Sequence, residues 1–449
     1  MVEQTNSIEQ FNDSTTANKY QIAGEIASKA LDQIIESIGP GVAVKTLCEL
    51  GDLFITSEVG KVYLKQKDMK KGIAFPTSIG INNMVGYYSP EDTAFEVSEG
   101  DVVNIELGVH IDGFPATVAY TVVVHDGDEP LSDVSNKRAN VITAVAEASR
   151  AVLPLIKNGK TNADVSDTLK KIAKKYDCSL PFVENPDIRT PGVVSYQMSK
   201  NVLDGKNDDD VDDIHKLILP RHHHSYEFEM RPTEFETNEV YSIDIVMSSG
   251  EGRLYPTEER VTIFRRNYDK KHQLKMKSSH EALRYFNGGF PQSCGNDMTS
   301  RMKLGVQECT RNGLLIPYAP FAERPGEYVA QVKFTVIVRN KKPILISGRS
   351  SDPQIEKVKI LTQDEKIAIL EGRLSREEIS LSEATRALDK LGITLENGRE
   401  LKKTEPELLE TIVEEDEDDE KHLDEHVMEI EPEIETEKNL EDNCQTSSA

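Results

Sequence analysis

In the segment KYQIAGEIASKALDQIIESIGPG, which opens at Lys19, the apolar residues Ile22, Ile26, Ala30, Ile34 and Ile38 recur every four positions, with Ala23, Ala27 and Leu31 beside them. That spacing puts one apolar stripe along a helix, which Pro40-Gly41 ends. A second helix is expected from about Val44 to Tyr63. The arrangement returns in RANVITAVAEASRAVLPLIKNG, an amphipathic helix stopped near Asn158-Gly159, and in TNADVSDTLKKIAKKYDC, a helix with a polar cap at Thr161 or Asn162. Each pair precedes runs rich in Val, Ile, Thr, Tyr and Phe that read as strands: Val102 to Gly108, Phe114 to Val124, Val240 to Ser248, Arg260 to Phe264 and Tyr328 to Val338. Helix, glycine turn and helix occurring twice predict an α+β domain of two similar halves. Its sheet is expected to be curved and antiparallel, with the helices on one face.

The two ends read differently. Residues 1–18 are polar and turn-rich with no hydrophobic period and are expected to be mobile, so the folded body is placed at 19–352. Beyond Pro353 the chain is dense in Glu, Lys, Leu and Ala, which predicts a small helical extension over 353–404. Residues 405–449 carry too little apolar content to offset the entropy of ordering and are expected to be disordered.

Charge changes this picture through its distribution. The formal net charge is −25, but the nineteen acidic residues between Glu405 and Asp442, against Lys421 and Lys438, supply −17 of it and leave about −8 for the rest. The body is therefore only mildly acidic, and nucleic acid is not excluded as a partner. With 449 residues and 37% hydrophobic content the chain can bury one large core or two modest ones. No run approaches the roughly eighteen apolar residues of a bilayer span, and the start MVEQTNSIEQFNDSTTANKY lacks the pattern of a secretory signal, so no membrane partner is expected. Cys48, Cys178, Cys294, Cys309 and Cys444 are scattered and never spaced as a ligand pair, which suits reduced thiols.

Four segments, taken in order, resemble the pita-bread fold of the type II methionine aminopeptidases. They are MKKGIAFPTSIGINN (Met69 to Asn83), VVNIELGVHIDGFPATVAYT (Val102 to Thr121), NEVYSIDIVMSSGEG (Asn238 to Gly252) and GEYVAQVKFTVIV (Gly326 to Val338). SSGEG, LKMK (Leu274 to Lys277) and AQVKFTV bring the chain closer still to that family's eukaryotic offshoot, the proliferation-associated or ErbB-3-binding proteins. The resemblance covers roughly Lys19 to Asp352.

An aminopeptidase of that fold holds two divalent ions with two Asp, one His and two Glu, and the metals, about 3.5–4 Å apart, polarise the scissile carbonyl and supply a hydroxide. Carried over one at a time, the first aspartate falls on Glu106, the second on Thr117, the histidine on Tyr196, the first glutamate on Asp244 and the last on Lys333. The two family histidines that bind substrate and shuttle protons fall on Tyr87 and Asp204. A hydroxyl and a phenol are poor ligands, and the Lys333 ammonium is expected where a dication would sit, held by Glu106 and Asp244. The resemblance thus implies a degenerate site with no catalytic residue, no metal and no cofactor, in a non-catalytic binding protein. The alternative is an active metal-dependent methionine aminopeptidase with divergent ligands.

Basic residues concentrate at Lys61, Lys65, Lys67, Lys70 and Lys71 and in FRRNYDKKHQLKMK, at Arg265, Arg266, Lys270, Lys271, Lys275 and Lys277. Such runs are ordinarily solvated faces, but they suit phosphates. The resemblance implies a subdomain inserted at about 265–318 that contacts ribosomal RNA at the peptide-tunnel exit. The expected partners are the large ribosomal subunit or its precursor, rRNA and ribosomal proteins, bound by a monomer of the nucleus, nucleolus and cytoplasm in ribosome biogenesis, nuclear export or translation. Family members commonly end in a lysine-rich tail, whereas this chain ends in EEDEDDEKHLDEHVMEIEPEIETE and a short polar stretch. That reversal leaves three readings open: a chaperone segment for basic proteins, a competitor of RNA for the chain's own basic patches, or a solubilising tail. His222, His223 and His224 are expected on a surface loop and MSSGEG in a turn.

Overall fold

The computed structural model describes residues 14–124, 136–183, 194–203, 216–220, 232–295 and 298–349. The expected extension at 353–404, the acidic tail at 405–449, Asp204 and His222 to His224 lie outside them.

The first half runs through α1 (Ser14–Ile35), α2 (Val44–Lys61), β1 (Lys71–Ile81), β2 (Met84–Val85), β3 (Val102–Ile111) and β4 (Phe114–Val123). The second begins with α3 (Asn136–Val152), α4 (Asn162–Lys175), β5 (Phe182–Val183), β6 (Tyr196–Met198) and β7 (Val240–Ser248). After β8 (Arg253–Pro256) come β9 (Ile263–Arg266), α5 (Lys277–Tyr285), β10 (Gln292–Ser293), α6 (Ser300–Arg311) and β11 (Leu315–Tyr318). The body is completed by β12 (Phe321–Ala322), β13 (Val329–Ile337) and β14 (Ile344–Leu345). The main sheet has the order β1-β3-β4-β13-β7-β6, with β14 also on β13, and its pairs are antiparallel.

Strand alternation gives this sheet two unlike faces. On one, Ile105, Leu107, Val118 and Tyr120 meet Ala27, Leu31, Ile34 and Leu47 of α1 and α2. The same face of the second half presents Ile243, Ile245, Phe334 and Val336 to Val141, Val145, Val165 and Leu169 of α3 and α4. Burial of each Leu, Ile or Val is worth about 1.5–3 kcal/mol, so these two helix pairs carry the main hydrophobic stabilisation. On the opposite face the same strands turn polar: Asn104, Glu106, Thr117, Thr121, Ser242, Asp244, Gln331, Lys333 and Thr335 are all buried there. The candidate site is built on that face.

Several expectations shift. Helix α1 starts at Ser14, five residues ahead of Lys19, because Ala17 and Tyr20 lie on the helix face that packs against Phe114, the two rings 5.3 Å apart. Residues 14–18 are thus part of the fold, and the mobile expectation for 1–18 is corrected there. Strand β1 is read in the sequence only as a motif, since Pro76 interrupts its pattern; the register slips between Phe75 and Ser78, the bulge that accommodates a proline. Between the two possible caps of α4 the structure selects Thr161, whose hydroxyl accepts from the Asp164 N–H while the Asp164 carboxylate accepts from the Thr161 N–H. The run expected from Arg260 becomes a strand only at Ile263. Strands β9, β10 and β11 form a separate small sheet, and with α5 and α6 they enclose a core of Phe264, Leu274, Phe286, Val306 and Leu315.

Candidate functional site

Three of the four central strands β3-β4-β13-β7 each bring one ionisable side chain to the polar face. In the pairing register Lys333 of β13 lies opposite Asp244 of β7 on one side and Ala119 of β4 on the other, and Ala119 pairs in turn with Glu106 of β3. Paired residues in a sheet point to the same face, so the register alone converges Glu106, Asp244 and Lys333. The Lys333 Nζ donates to Glu106 Oε1 and lies 2.8 Å from Asp244 Oδ2. All three are buried, at 4%, 3% and 7% exposure respectively.

Gln331, two residues before Lys333 on the same strand face, completes the arrangement. Its Nε2 donates to Asp244 Oδ1 at 2.9 Å and to Glu106 Oε2 at 3.3 Å, so each carboxylate is held by an ammonium at one oxygen and an amide at the other. Sequence reasoning missed Gln331, for which the only signal is its i−2 spacing from Lys333 on a buried strand. Beyond the ion pair the face continues as hydroxyls. Thr117 Oγ1 and Ser242 Oγ share a hydrogen bond at 2.7 Å, and Thr335 Oγ1 accepts the Thr117 N–H at 2.9 Å. Tyr196 pairs with Ser242 and packs its ring against the cluster of Phe182, Val194, Leu217 and Leu219. Tyr87 stacks edge-on with Tyr318 at 5.3 Å and tilts against Phe75 at 5.4 Å, forming an aromatic wall.

Electrostatics favour a permanently charged lysine. Burial works against the ammonium, but Asp244, then Glu106, then Tyr87 outweigh it and hold Lys333 well above the ordinary lysine range. Burial pushes the Asp244 carboxyl upward, with Glu106 adding to the effect and Lys333 and Gln331 opposing it.

A pair of dications does not fit this donor set. The carboxylate oxygens that would ligate are engaged by a fixed ammonium and an amide, the Thr117 hydroxyl is committed to Ser242, and the Tyr196 ring is packed in an apolar cluster. Among the described residues no group of three or more His, Cys, Asp or Glu is placed to hold a metal ion.

The SSGEG turn has a structural use. Buried Glu323 accepts hydrogen bonds from Ser248 Oγ at 3.0 Å, the Gly252 N–H at 2.7 Å and the Arg324 N–H at 3.0 Å. Gly252 has φ +78°, and a Cβ there would come within 2.7 Å of the Leu180 carbonyl oxygen.

The basic residues divide into two groups. Lys65, Lys67 and Lys70 are exposed on the segment between α2 and β1, whereas Lys71 is half-buried and its Nζ donates to the Val62 carbonyl. Lys270, Lys271, Lys275 and Lys277 are exposed on the small subdomain, while Arg265 and Arg266 are half-buried, Arg266 donating to the Leu283 carbonyl at 2.6 Å. Lys71 and Arg266 thus serve the scaffold and leave seven lysines of the expected set open to an anion. Residues 263–318 hold ten Lys and Arg against four Asp and Glu, a net +6 in a chain of net −25. No helix of the described residues is long and apolar enough to cross a membrane.

Residues 18–202 match metallopeptidase family M24. ErbB-3 binding protein 1 of Solanum tuberosum is 38% identical over 328 residues, which cover 71% of this chain and 78% of that protein. The curved DNA-binding protein of Schizosaccharomyces pombe is 34% identical over 368 residues, covering 79% of this chain and 90% of that protein. Among solved structures, a thermophilic Arx1 shares the fold with a TM-score of 0.65 at 24% identity, over 77% of this chain and 93% of that one. The α+β architecture is the pita-bread fold of M24 proteins, and the chain belongs to the proliferation-associated or ErbB-3-binding family built on it.

Proposed function

We propose that this chain is a non-catalytic M24-fold binding protein that associates with the large ribosomal subunit or its precursor through RNA. The observation that carries the first half is the Lys333 ammonium between Glu106 and Asp244. Metal-dependent aminopeptidase chemistry needs a dication to polarise a carbonyl and generate hydroxide. Here an internal cation already neutralises one of the two acids, and no imidazole among the described residues joins the cluster to move a proton. The divergent-ligand aminopeptidase reading is disfavoured by the same ammonium, which a metal would have to displace.

The second half is supported by charge and by the family. The +6 subdomain and the lysines at 65, 67 and 70 supply a sequence-independent grip on phosphates. One relative is named for binding curved DNA, which favours nucleic acid as a partner class. Association with rRNA and ribosomal proteins by a monomer moving between nucleus, nucleolus and cytoplasm is the reading the resemblance implies.

Co-sedimentation of the purified protein with large ribosomal subunits across a salt series tests it. The expected result is salt-sensitive binding that is lost when Lys270, Lys271, Lys275 and Lys277 are all changed to Ala. Binding that ignores both salt and those substitutions would overturn the RNA-mediated reading. Loss of binding on deleting residues 405–449 would favour a tail-borne chaperone for basic proteins instead.

A further inference from the structure

On the basic subdomain one aromatic side chain is built as a platform. Tyr268 stands two residues beyond the end of β9 and is 56% exposed, against 39% for Phe95 and 37% for Tyr255 among the described residues. Its hydroxyl donates to the Asn287 carbonyl at 2.6 Å, which fixes the ring by its far end. The Arg266 guanidinium sits 5.2 Å from the ring centroid and is itself held by the Leu283 carbonyl at 2.6 Å. A positive, immobilised group therefore lies over one face of the phenol, while the residue as a whole stays 56% exposed. The platform stands in the run that carries the exposed Lys270, Lys271, Lys275 and Lys277, with Asp269 as the single acid within it.

From this geometry we infer that Tyr268 is a stacking site for an unpaired nucleobase, resting on the proposed RNA-binding role of the subdomain and specifying which RNA it prefers. Every base has a π-face, and a ring held rigid loses little entropy on stacking, so the platform takes bases without reading sequence. Arg266 behind the ring adds a cation–π partner that withdraws electron density from the phenol. The lysines that follow grip the phosphates on either side of the flipped or bulged nucleotide. A paired duplex offers phosphates but no free π-face, so the preferred ligand is a bulge, loop or single strand.

The test uses the full chain and two RNA hairpins of equal length, one fully paired and one with a single bulged 2-aminopurine. The expected result is tighter binding of the bulged hairpin and quenching of its fluorescence on binding. Tyr268→Ala should weaken the bulged hairpin by about tenfold or more, abolish the quenching and leave the paired hairpin almost unchanged, whereas Tyr268→Trp should keep both signals. Equal binding of the two hairpins by the parent protein, or quenching that survives in Tyr268→Ala, would overturn the platform. Lys270→Ala, Lys271→Ala, Lys275→Ala and Lys277→Ala together should weaken both hairpins alike. If that variant loses RNA while Tyr268→Ala behaves as the parent, the platform fails and the basic grip stands; if the parent binds neither hairpin, both fail.

Discussion

Lys333→Met removes the ammonium from the internal cluster while keeping most of the side chain's volume. Glu106 and Asp244 would then face each other across β4 and β13, each retaining only its bond from the Gln331 amide. Breaking a buried ion pair on one side ordinarily costs about 3–5 kcal/mol, because the remaining charge is left buried and uncompensated. That is a large share of the roughly 5–15 kcal/mol that holds a domain folded. The sign with pH follows from linkage. Burial already holds the Asp244 carboxyl above its ordinary range, and loss of the ammonium that opposes the effect raises it further, so the folded variant takes up a proton as pH falls. Its deficit relative to the parent should therefore shrink from about pH 7 to about pH 5. Adding Glu106→Gln and Asp244→Asn to Lys333→Met removes the stranded charges and should recover most of the loss at neutral pH. Urea unfolding followed by circular dichroism at the two pH values measures all three proteins. A Lys333→Met variant as stable as the parent at pH 7, or a deficit that does not change with pH, would refute the reasoning.

Other expectations bear on the scaffold. The Asp52 carboxyl is pushed up to about 6, chiefly by burial, although it accepts the Thr77 N–H at 2.8 Å. A folded-state pKa above the unfolded one means that stability falls as pH rises from about 4 to about 6. Asp52→Asn should flatten that slope and, since the residue keeps some solvent contact, gain about 1–2 kcal/mol near pH 7; thermal melts across pH would show a contrary, unchanged slope if burial were not the cause. Thr161→Ala breaks the reciprocal cap of α4 and should cost about 1 kcal/mol in urea unfolding, whereas an unchanged midpoint would mean the cap adds nothing. Gly51 of α2 lies against β1, where a Cβ would come 2.4 Å from Thr77 Oγ1, so Gly51→Ala should destabilise despite its better helix propensity; a gain in melting temperature would contradict that contact.

The helices and long strands were legible because their periods of 3.6 and 2 survive in single segments such as Ile22 to Ile38 and Val240 to Ser248. Strand β1 was not, because Pro76 and three glycine or serine positions break the alternation that its bulge tolerates. The helices α5 and α6 escaped because each spans only two or three turns inside a charged, turn-rich run. At the site, the convergence of Glu106, Asp244 and Lys333 could be stated from the resemblance, but not the role of Gln331, whose partners lie 87 and 225 residues away. Periodicity also cannot separate a lysine that faces solvent from one that braces a loop, which is why Lys71 and Arg266 were grouped with the anion-facing residues. In the sequence Tyr268 is one letter in a basic run, since its contacts with Arg266 and the Asn287 carbonyl depend on the folded subdomain.

Whether an ammonium has replaced the catalytic metals is decided by one experiment on the purified parent protein dialysed against manganese or cobalt: bound metal by mass spectrometry, with turnover of a Met-initiated peptide measured on the same sample. The expected outcome is no stoichiometric metal and no release of methionine. Close to two equivalents of metal together with turnover, both abolished by Glu106→Ala and Asp244→Ala, would contradict it and make the protein a hydrolase.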